Sequence, residues 1–505
     1  MRKISGKVSG WLLLGWCGFV AAWLLVDHAR QSICLFGYDR CSDRTLIQPT
    51  GMVTVAVVGI AGAVLLTGLW VVEHHRAAAR PEAVAQAGAA RRVRPVVLAG
   101  TGFVVVLAAA HLLLLAPMDK TLPCGTPVRI DAHLGYPMNC DSPLFMQLAH
   151  KPQLLLQKDS VRQSRPVYVY LAAAATAVIG PVAHWVGLDA LYGQSDSAFI
   201  PMVLINLVVA AAAVALFLWL MLLIGAPPAV TWSLTAILAV NDMTKAYYWP
   251  PHQQMFGLLV PMATAVVCRW LFLNRPSWRF AATAGLILGI SALAYASVLI
   301  TVAAGALTIL ITAERRVPAL RLAVAKAAVL LAASAAPTLV WIEICRAVTG
   351  TYYNHEAVTY HEFVWLPQAA AAGWRPLVHA LSNATMMTGG QLIEVTWLLV
   401  AVLAVLAVGA VFLRVDIVAG EPGQRAALAA TGVSVLCTLA FLWGLGFWAY
   451  RLTYHVVPLL LILIGWIASR LSNVSVWSRY ATQVGLVVIA AGWVAFELFS
   501  HGPYS

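Results

Sequence analysis

Apolar residues run in long unbroken segments along most of this chain, and polar residues collect between them. A helix needs roughly 20 apolar residues to cross about 30 Å of hydrocarbon, because backbone groups in lipid must pair within the segment. The pattern therefore predicts an all-α, polytopic transmembrane helical protein with about 13 spans. The predicted spans are 10–26, 52–72, 96–116, 199–223, 228–243, 254–273, 280–296, 297–313, 322–342, 393–413, 427–446, 453–469 and 482–499.

A further apolar stretch, 166–187, is also long enough to cross, and hydropathy alone does not decide its place. Lys and Arg in short loops are retained on the cytoplasmic side. With the Met1 end inside and 166–187 not crossing, the inside carries 19 basic and 5 acidic residues, and the outside 13 basic and 15 acidic. We therefore predict that 166–187 is an embedded helix at the outer surface. The same rule folds the apolar residues between Arg279 and Arg315 into a hairpin of two spans.

Composition narrows the class of protein further. With 61% apolar and 10% charged residues, nothing resembles a soluble catalytic module. The net charge of +12 follows from the topology, so nucleic acid is not predicted as a partner. We divide the chain into residues 1–94, with two additional spans and a basic cytoplasmic linker; 95–471, a transmembrane core with the outer loop 117–198; and 472–505, a C-terminal span.

The predicted cytoplasmic loops are short, and most of the acids and aromatic residues that lie between spans face the other compartment. Chemistry is therefore expected on the outer face of a cytoplasmic membrane, towards the periplasm or exterior. The outer segments are 27–50, 117–199, 241–254, 343–391 and 447–455.

Four of the eight cysteines fall in predicted outer loops. The pairs Cys34 with Cys41 and Cys124 with Cys140 suit an oxidising compartment, although the crossed pairing, four free thiols and a metal site remain open. The others, Cys17, Cys268, Cys345 and Cys437, lie in or beside spans, where a lone Cys is usually a small buried hydrophobe.

The stretch CDSPLFMQLAHKPQLLLQKDSVRQSRPVYVY, from Cys140 to Tyr170, concentrates polar residues in this apolar chain. Asp141 or Ser142 can cap a helix whose first turn accepts Pro143. A basic loop with Arg162 and Arg165 follows, and then Pro166 opens the embedded helix. The order helix, basic loop, helix predicts a platform at the outer membrane surface.

This stretch resembles the amino-terminal part of the fold-class-C glycosyltransferases, membrane enzymes that take sugars from polyprenyl phosphate carriers. The likeness is carried by DSPLFMQLA and SRPVYVY here, by WPPHQQMF after a later span, and by WAYRLTYHVVPLLLIL near the end, and it covers the layout from Arg94 to Leu471. The two spans at the front have no counterpart in the family. The resemblance implies a polyprenyl-phosphate sugar donor and a glycan, lipid or protein acceptor.

The resemblance also implies roles for residues. The position of the family's catalytic acid matches Asp141, which would take a proton from the acceptor; partial desolvation would raise its basicity. Asp131 is the reserve acid. The alternative role of Asp141 is a helix cap, and that of Asp131 is a loop turn. Arg451 is placed to bind the lipid phosphate, with interfacial anchoring as the alternative. Lys245, His252, Gln253, Arg162 and Arg165 are candidate phosphate contacts, or interfacial and headgroup-binding residues.

Two His-Glu pairs, His355 with Glu356 and His361 with Glu362, raise the question of a divalent cation. Their spacing matches no strong metal motif, which favours a hydrated loop, so no cofactor is assigned. A membrane transporter or lipid flippase is the alternative function; it predicts ionisable residues at mid-membrane depth and often repeated halves, and the sequence has few of the first and none of the second.

Overall fold

The computed structural model describes residues 99–105, 107–108, 126–129, 135–188, 196–447 and 449–499, and most of these are α-helical. The predicted spans 10–26 and 52–72 lie outside the described residues, as does the domain 1–94, and the span 96–116 is described only in part. The predicted residues Cys34, Cys41, Cys124 and Asp131 also lie outside them.

A short antiparallel hairpin of β1 (Thr126–Arg129) and β2 (Gly135–Met138) lies between the helical residues 99–105 and 107–108 and the helices numbered below, and it is an addition to the predicted all-α architecture. Short 3-10 turns at Pro152–Leu156, Gln253–Met255 and Ala296–Val298 join some of the helices. In chain order the helices are α1 (Ser142–His150), α2 (Pro166–Trp185), α3 (Phe199–Leu223), α4 (Pro228–Ala239), α5 (Asp242–Tyr247), α6 (Phe256–Leu273), α7 (Trp278–Ala292), α8 (Leu299–Ile311), α9 (Val317–Thr349), α10 (His355–Thr359), α11 (Trp365–Ala372), α12 (Trp374–Phe412), α13 (Pro422–Leu445), α14 (Tyr450–Thr453), α15 (Val457–Leu471) and α16 (Val476–Phe499).

Each predicted span from residue 199 onward corresponds to a helix. Among the described residues, seven helices are long and apolar enough to cross a membrane, which supports the predicted polytopic membrane class. Four others, α4, α7, α8 and α15, are apolar but shorter than the roughly 20 residues of a full span. In α4 the reason is local: Asn241 accepts a hydrogen bond from Thr244 N and caps the separate helix α5, which ends the apolar run early. The number of spans stays a prediction.

The segment 343–391, predicted as an outer loop, is largely helical instead. α9 continues to Thr349 and ends at Gly350, which adopts φ +78°, and α12 already begins at Trp374. At 1.5 Å per residue α9 and α12 are about 50 and 58 Å long, well beyond the hydrocarbon thickness of about 30 Å. Hydropathy marks only the part of a helix that lies in lipid, whereas backbone hydrogen bonding continues into water.

The apolar helix α2 is long enough to cross, yet contacts hold both of its ends beside the same short helix, α1. At its start, Tyr168 packs edge-on against Phe145 of α1, with the ring centroids 5.2 Å apart. Near its end, Gly180 lies against the carbonyl of Ser197. The neighbouring Asp196 accepts a hydrogen bond from His150, at the other end of α1, at 2.7 Å. α2 therefore runs alongside α1.

A bundle of apolar helices supports this region. α6 packs against α3, α8 and α13, while α15 packs against α12 and α4. The large side chains Phe217 and Trp466 are buried in the central core. Two polar turns meet at one end of this bundle: residues 247–256, which lead into α6, and residues 449–456, which lead into α15. Asn206 of α3 fixes the first turn by donating to the carbonyls of Tyr247 and Pro250 at 2.9 and 2.8 Å.

Candidate functional site

Asp141 precedes α1, but it does not cap that helix through its side chain. Its carboxylate instead contacts two residues from other parts of the chain. Arg162 Nη2 lies 2.6 Å from Asp141 Oδ1, and His252 Nε2 lies 3.4 Å from Oδ2. The helix-cap interpretation of this side chain is therefore wrong, and the carboxylate belongs to a polar cluster.

The basic loop 157–165 is held in place by one fully buried amide. Gln163 Nε2 donates to the carbonyl of Leu155 at 3.0 Å, and its Oε1 accepts from Tyr353 N at 2.7 Å. Trp341 of α9 donates its indole N–H to the Gln163 carbonyl at 2.7 Å. Because these bonds reach neighbours on both sides, they fix the two arginines that flank Gln163.

Those arginines, Arg162 and Arg165, converge on Glu356. Arg162 Nη1 and Arg165 Nη2 lie 3.2 and 2.8 Å from Glu356 Oε1, and Ser164 Oγ donates to Oε2 at 3.2 Å. Burial raises the pKa of Glu356, but Arg165 and Arg162 outweigh this and lower it, so the carboxylate is charged. The Gln253 amide also contacts Arg165, with its oxygen as acceptor in the orientation that satisfies both groups.

His252 faces Asp141 as a neutral hydrogen-bond donor. Its Nδ1 accepts from Gln254 N at 3.1 Å, so the proton of the neutral ring lies on Nε2, towards Asp141. Burial lowers the pKa of His252 to about 4, although its hydrogen bond to Asp141 acts in the opposite direction. The ring is packed between Phe145 and Tyr247, at centroid distances of 5.4 and 5.0 Å.

Arg451 enters the cluster from α14 and is partly buried. Its Nη1 donates to the hydroxyl of Tyr247 at 3.3 Å. Burial lowers the pKa of Arg451, but Tyr247 and Asp141 raise it to above its ordinary value, so the side chain stays cationic. Gln254 Nε2 donates to the Arg451 carbonyl at 3.2 Å and to the Tyr295 hydroxyl at 3.1 Å, and thereby joins the two polar turns.

The electrostatics of Asp141 differ from the sequence expectation. Burial raises its pKa, but the hydrogen bond to His252 and the charges of Arg162 and Arg451 outweigh this effect, and the pKa lies well below its usual value. Partial desolvation alone predicted a more basic carboxylate. The expectation was wrong because it omitted the cations that the fold brings within contact.

Lys245 is the one predicted phosphate contact among the described residues that does not join this cluster. It is buried, and its Nζ donates to the backbone carbonyl of Glu497 in α16 at 2.8 Å. Next to it, Tyr454 donates its hydroxyl to Asp242 Oδ2 at 3.1 Å, and Asp242 is hydrogen-bonded to Glu497. Asp242, Lys245 and Glu497 form a second polar group, which we call the α16 cluster.

The first of the two His-Glu pairs, His355 with Glu356, has other partners. His355 Nδ1 lies 3.1 Å from the Tyr353 hydroxyl and 3.2 Å from Thr359 Oγ1, while Glu356 binds the arginines. No group of three or more His, Cys, Asp or Glu side chains in the described part of the chain is arranged to hold a metal ion.

Among the cysteines, Cys140 is disulfide-bonded, and its partner lies outside the described residues. Cys268, Cys345 and Cys437 are free and buried, as their positions in the sequence predicted.

Sequence reasoning missed Tyr247 and Gln163, and it considered Glu356 only as a metal ligand or as part of a hydrated loop. Glu356 is 194 residues from Arg162, so no local spacing indicates the contact. As a chemical unit, the cluster joins three guanidinium groups, a neutral His and two carboxylates at one end of an apolar bundle. Such a group suits an anion attached to an apolar chain, with a carboxylate beside it for proton transfer.

Comparisons with protein-family models, curated proteins and solved structures find no match for this chain.

Proposed function

We propose that the protein is a membrane glycosyltransferase of fold class C that moves a sugar from a polyprenyl-phosphate-linked donor to a glycan, lipid or protein acceptor. The observation that carries the proposal is the contact of Asp141 with Arg162 and His252 inside a cluster that also holds Arg165 and Arg451. Arginine is suited to phosphate because its planar fork can donate two parallel hydrogen bonds. The adjoining apolar helices suit a polyprenyl chain.

In the proposed reaction the donor phosphate binds Arg451 and competes with Asp141 for Arg162. Losing part of this ion pair raises the basicity of Asp141. The Asp141 carboxylate then takes the proton of the acceptor hydroxyl, whose oxygen forms a bond to the anomeric carbon of the sugar. The bond from that carbon to the phosphate oxygen breaks, its electron pair leaves with the lipid phosphate, and the arginines stabilise the added charge.

We place the cluster at the outer face of the cytoplasmic membrane, on the basis of the predicted distribution of Lys and Arg. In this arrangement α2 is an embedded helix in the outer leaflet, in keeping with the packing of Tyr168 against Phe145 of α1 and of Gly180 against the Ser197 carbonyl. Residues 95–471 then contain every group that the proposed reaction uses.

The direct test is Asp141→Asn in purified protein, reconstituted in nanodiscs with a polyprenyl-phosphate sugar donor. We expect sugar transfer to fall by about 10²–10⁴-fold, the usual contribution of a general base. The matched control is Asp196→Asn, because Asp196 is similarly exposed and also contacts a histidine, His150. Undiminished transfer by the Asp141 variant, or an equal loss in both variants, would remove Asp141 from the proposed role.

The alternative function is transport or flipping of a lipid, and the α16 cluster is the observation that favours it. Buried ionisable residues in a membrane protein commonly mark the path of an ion or a polar substrate. Movement of a labelled lipid-linked sugar across proteoliposomes, without covalent transfer to any acceptor, would support this alternative over the glycosyltransferase.

A further inference from the structure

A short segment of unusual backbone geometry lies beside the arginine cluster. His361 and Phe363 both adopt left-handed conformations, with φ of 55° and 60°, on either side of Glu362. A bulky side chain such as Phe rarely takes this conformation, and residues held in it are concentrated at functional sites. Glu362 therefore lies between two residues with strained backbone conformations.

The segment is fixed by the end of α13. Phe363 N donates to the Leu445 carbonyl at 3.1 Å, and the Phe363 ring meets that of Phe441 edge-on at a centroid distance of 5.4 Å. Trp365 donates its indole N–H to the Gly444 carbonyl at 2.9 Å. These contacts, which all come from another helix, hold the unfavourable backbone in place, so the position of Glu362 is defined by the fold.

Glu362 is half-buried, and its carboxyl has no hydrogen-bond partner among the residues that the structure describes. Glu362 N donates to the backbone carbonyl of Glu356 at 3.4 Å, so Glu362 lies beside the residue whose carboxylate Arg162 and Arg165 bind. The charged groups around its carboxyl come from three elements: Glu356 of α10, Arg165 at the start of α2 and Arg451 of α14. Burial and the repulsion from Glu356 raise the pKa of Glu362 to about 7, although Arg165 and Arg451 act in the opposite direction.

The charge balance of the cluster depends on this carboxyl. The cations are Arg162, Arg165 and Arg451, and the other two anions are Asp141 and Glu356. With Glu362 ionised the charges cancel; with Glu362 protonated one positive charge is left over. An incoming phosphodiester carries one negative charge, so it balances the cluster only when Glu362 is neutral. A neutral carboxyl can also donate a hydrogen bond, which a carboxylate cannot do.

We propose that Glu362 is a further ligand of the donor phosphate, which it binds in protonated form by donating its O–H to a phosphate oxygen. This inference rests on the proposed function for the location of the phosphate. Binding of the donor then takes up a proton from solvent wherever free Glu362 is ionised. The release of lipid phosphate at the end of the reaction reverses this step and returns the proton.

Binding of methyl undecaprenyl phosphate tests the proposal without knowledge of the sugar. This phosphodiester keeps its single negative charge across the pH range, so its own titration does not contribute. In nanodiscs we expect its affinity for the wild type to be level below pH 7 and to fall above it by about tenfold per pH unit, the slope for one linked proton. Calorimetry at pH 8 in buffers of different ionisation enthalpy should report uptake of close to one proton.

Two variants identify the group. Glu362→Gln keeps a donor at this position without a titrating proton, so it should bind the probe with an affinity that varies little with pH. Glu343→Gln, which alters an exposed carboxylate paired with Arg346, should keep the wild-type slope. Binding by the wild type without proton uptake would overturn only the role of Glu362 and would leave the proposed phosphate site in place. The same holds if the affinity of Glu362→Gln falls with pH as steeply as that of the wild type. Failure of the wild type to bind the probe at any pH would overturn the phosphate site itself.

Discussion

Arg162 contacts two carboxylates that no local sequence pattern connects. Its guanidinium lies 2.6 Å from Asp141 and 3.2 Å from Glu356, and it stacks over the Phe145 ring at 5.2 Å from the centroid. Removing one partner of a buried ion pair leaves the other charge uncompensated. Arg162 should therefore matter to stability as well as to phosphate binding.

We expect Arg162→Met to lower the free energy of unfolding in detergent by about 3–5 kcal/mol, the usual cost of breaking a buried pair. The double variant Arg162→Met/Glu356→Gln should recover part of this loss, because it also removes the charge on Glu356. Arg275→Met, which breaks the exposed pair with Glu314, is the control and should stay near the wild type. An equal loss in both single variants would contradict the burial argument.

The same carboxylates predict how stability depends on pH. The cluster holds the pKa values of Asp141 and Glu356 below their ordinary values of 3.8 and 4.5. Their contribution is therefore fully present above those ordinary values and is lost as the pH falls through the lower, folded-state values. Thermal unfolding followed from pH 7 to pH 3 should show a decline below about 4.5, and Glu356→Gln should reduce it. A decline that Glu356→Gln leaves unchanged would assign it to other groups.

For individual residues, the sequence predicted which side chains form the cluster better than it predicted how their charges shift the pKa of Asp141. Asp141, His252 and Arg451 were expected on one face, and the fold brings them together. Lys245 was expected beside them because it lies in the same turn as His252, but α5 directs it towards Glu497. The effect of Arg162 on Asp141 depends on a contact of 2.6 Å, which residue spacing does not reveal.

Helices α7 and α9 pack closely because two glycines of α7 face the backbone of α9. Gly285 and Gly289, four residues apart on α7, lie against the backbone of α9. A Cβ atom at Gly285 would come within 2.6 Å of the Leu330 carbonyl oxygen, and one at Gly289 would overlap the carbonyl of Ser334. Small residues at this spacing allow two membrane helices to approach closely.

Gly289→Ala is therefore expected to separate α7 from α9. It should lower the free energy of unfolding by about 1–3 kcal/mol, the usual cost of overpacking, and with it the melting temperature. Gly485→Ala in α16 has open space around the added methyl group and provides the control. It should be neutral or stabilising, since Ala favours helix more than Gly. Equal melting temperatures for wild type and Gly289→Ala would show that the two helices can move apart at no cost.

The helices also show which features a pattern of hydropathy and charge predicts and which it misses. The hairpin predicted from charge between Arg279 and Arg315 corresponds to the two apolar helices α7 and α8, and their crossing of the membrane stays a prediction. The extensions of α9 and α12 beyond the apolar segments were missed, because polar residues are compatible with a helix in water. The clamp between Phe363 and α13 involves residues about 80 apart, and no pattern within either segment predicts it.

For the whole molecule, the long helix α9 provides a simple test of orientation. It contains 33 residues, so its ends are about 50 Å apart, enough to reach beyond both surfaces of a bilayer. Glu314 precedes it and Thr351 follows it, and both are exposed. The distribution of Lys and Arg predicts that Glu314 is cytoplasmic and Thr351 is outside.

A membrane-impermeant maleimide applied to intact cells should label Thr351→Cys, and it should label Glu314→Cys only after permeabilisation. Among the described cysteines, Cys268, Cys345 and Cys437 are buried and Cys140 is disulfide-bonded. The unsubstituted protein, labelled in parallel, measures the background from Cys17, Cys34, Cys41 and Cys124. Labelling of both variants from the same side would mean that α9 does not cross. Labelling with the opposite order would place the arginine cluster in the cytoplasm.

The embedded position that we propose for α2 in the outer leaflet has a consequence for the surrounding lipid. A helix of 20 residues that lies along one leaflet takes up area there and leaves the opposite leaflet unoccupied beneath it. Lipid tails must fill that volume, so the boundary is deformable at this point. A carrier with a chain much longer than a phospholipid tail would find room there to coil, and could approach the arginines from the side without any helix having to open.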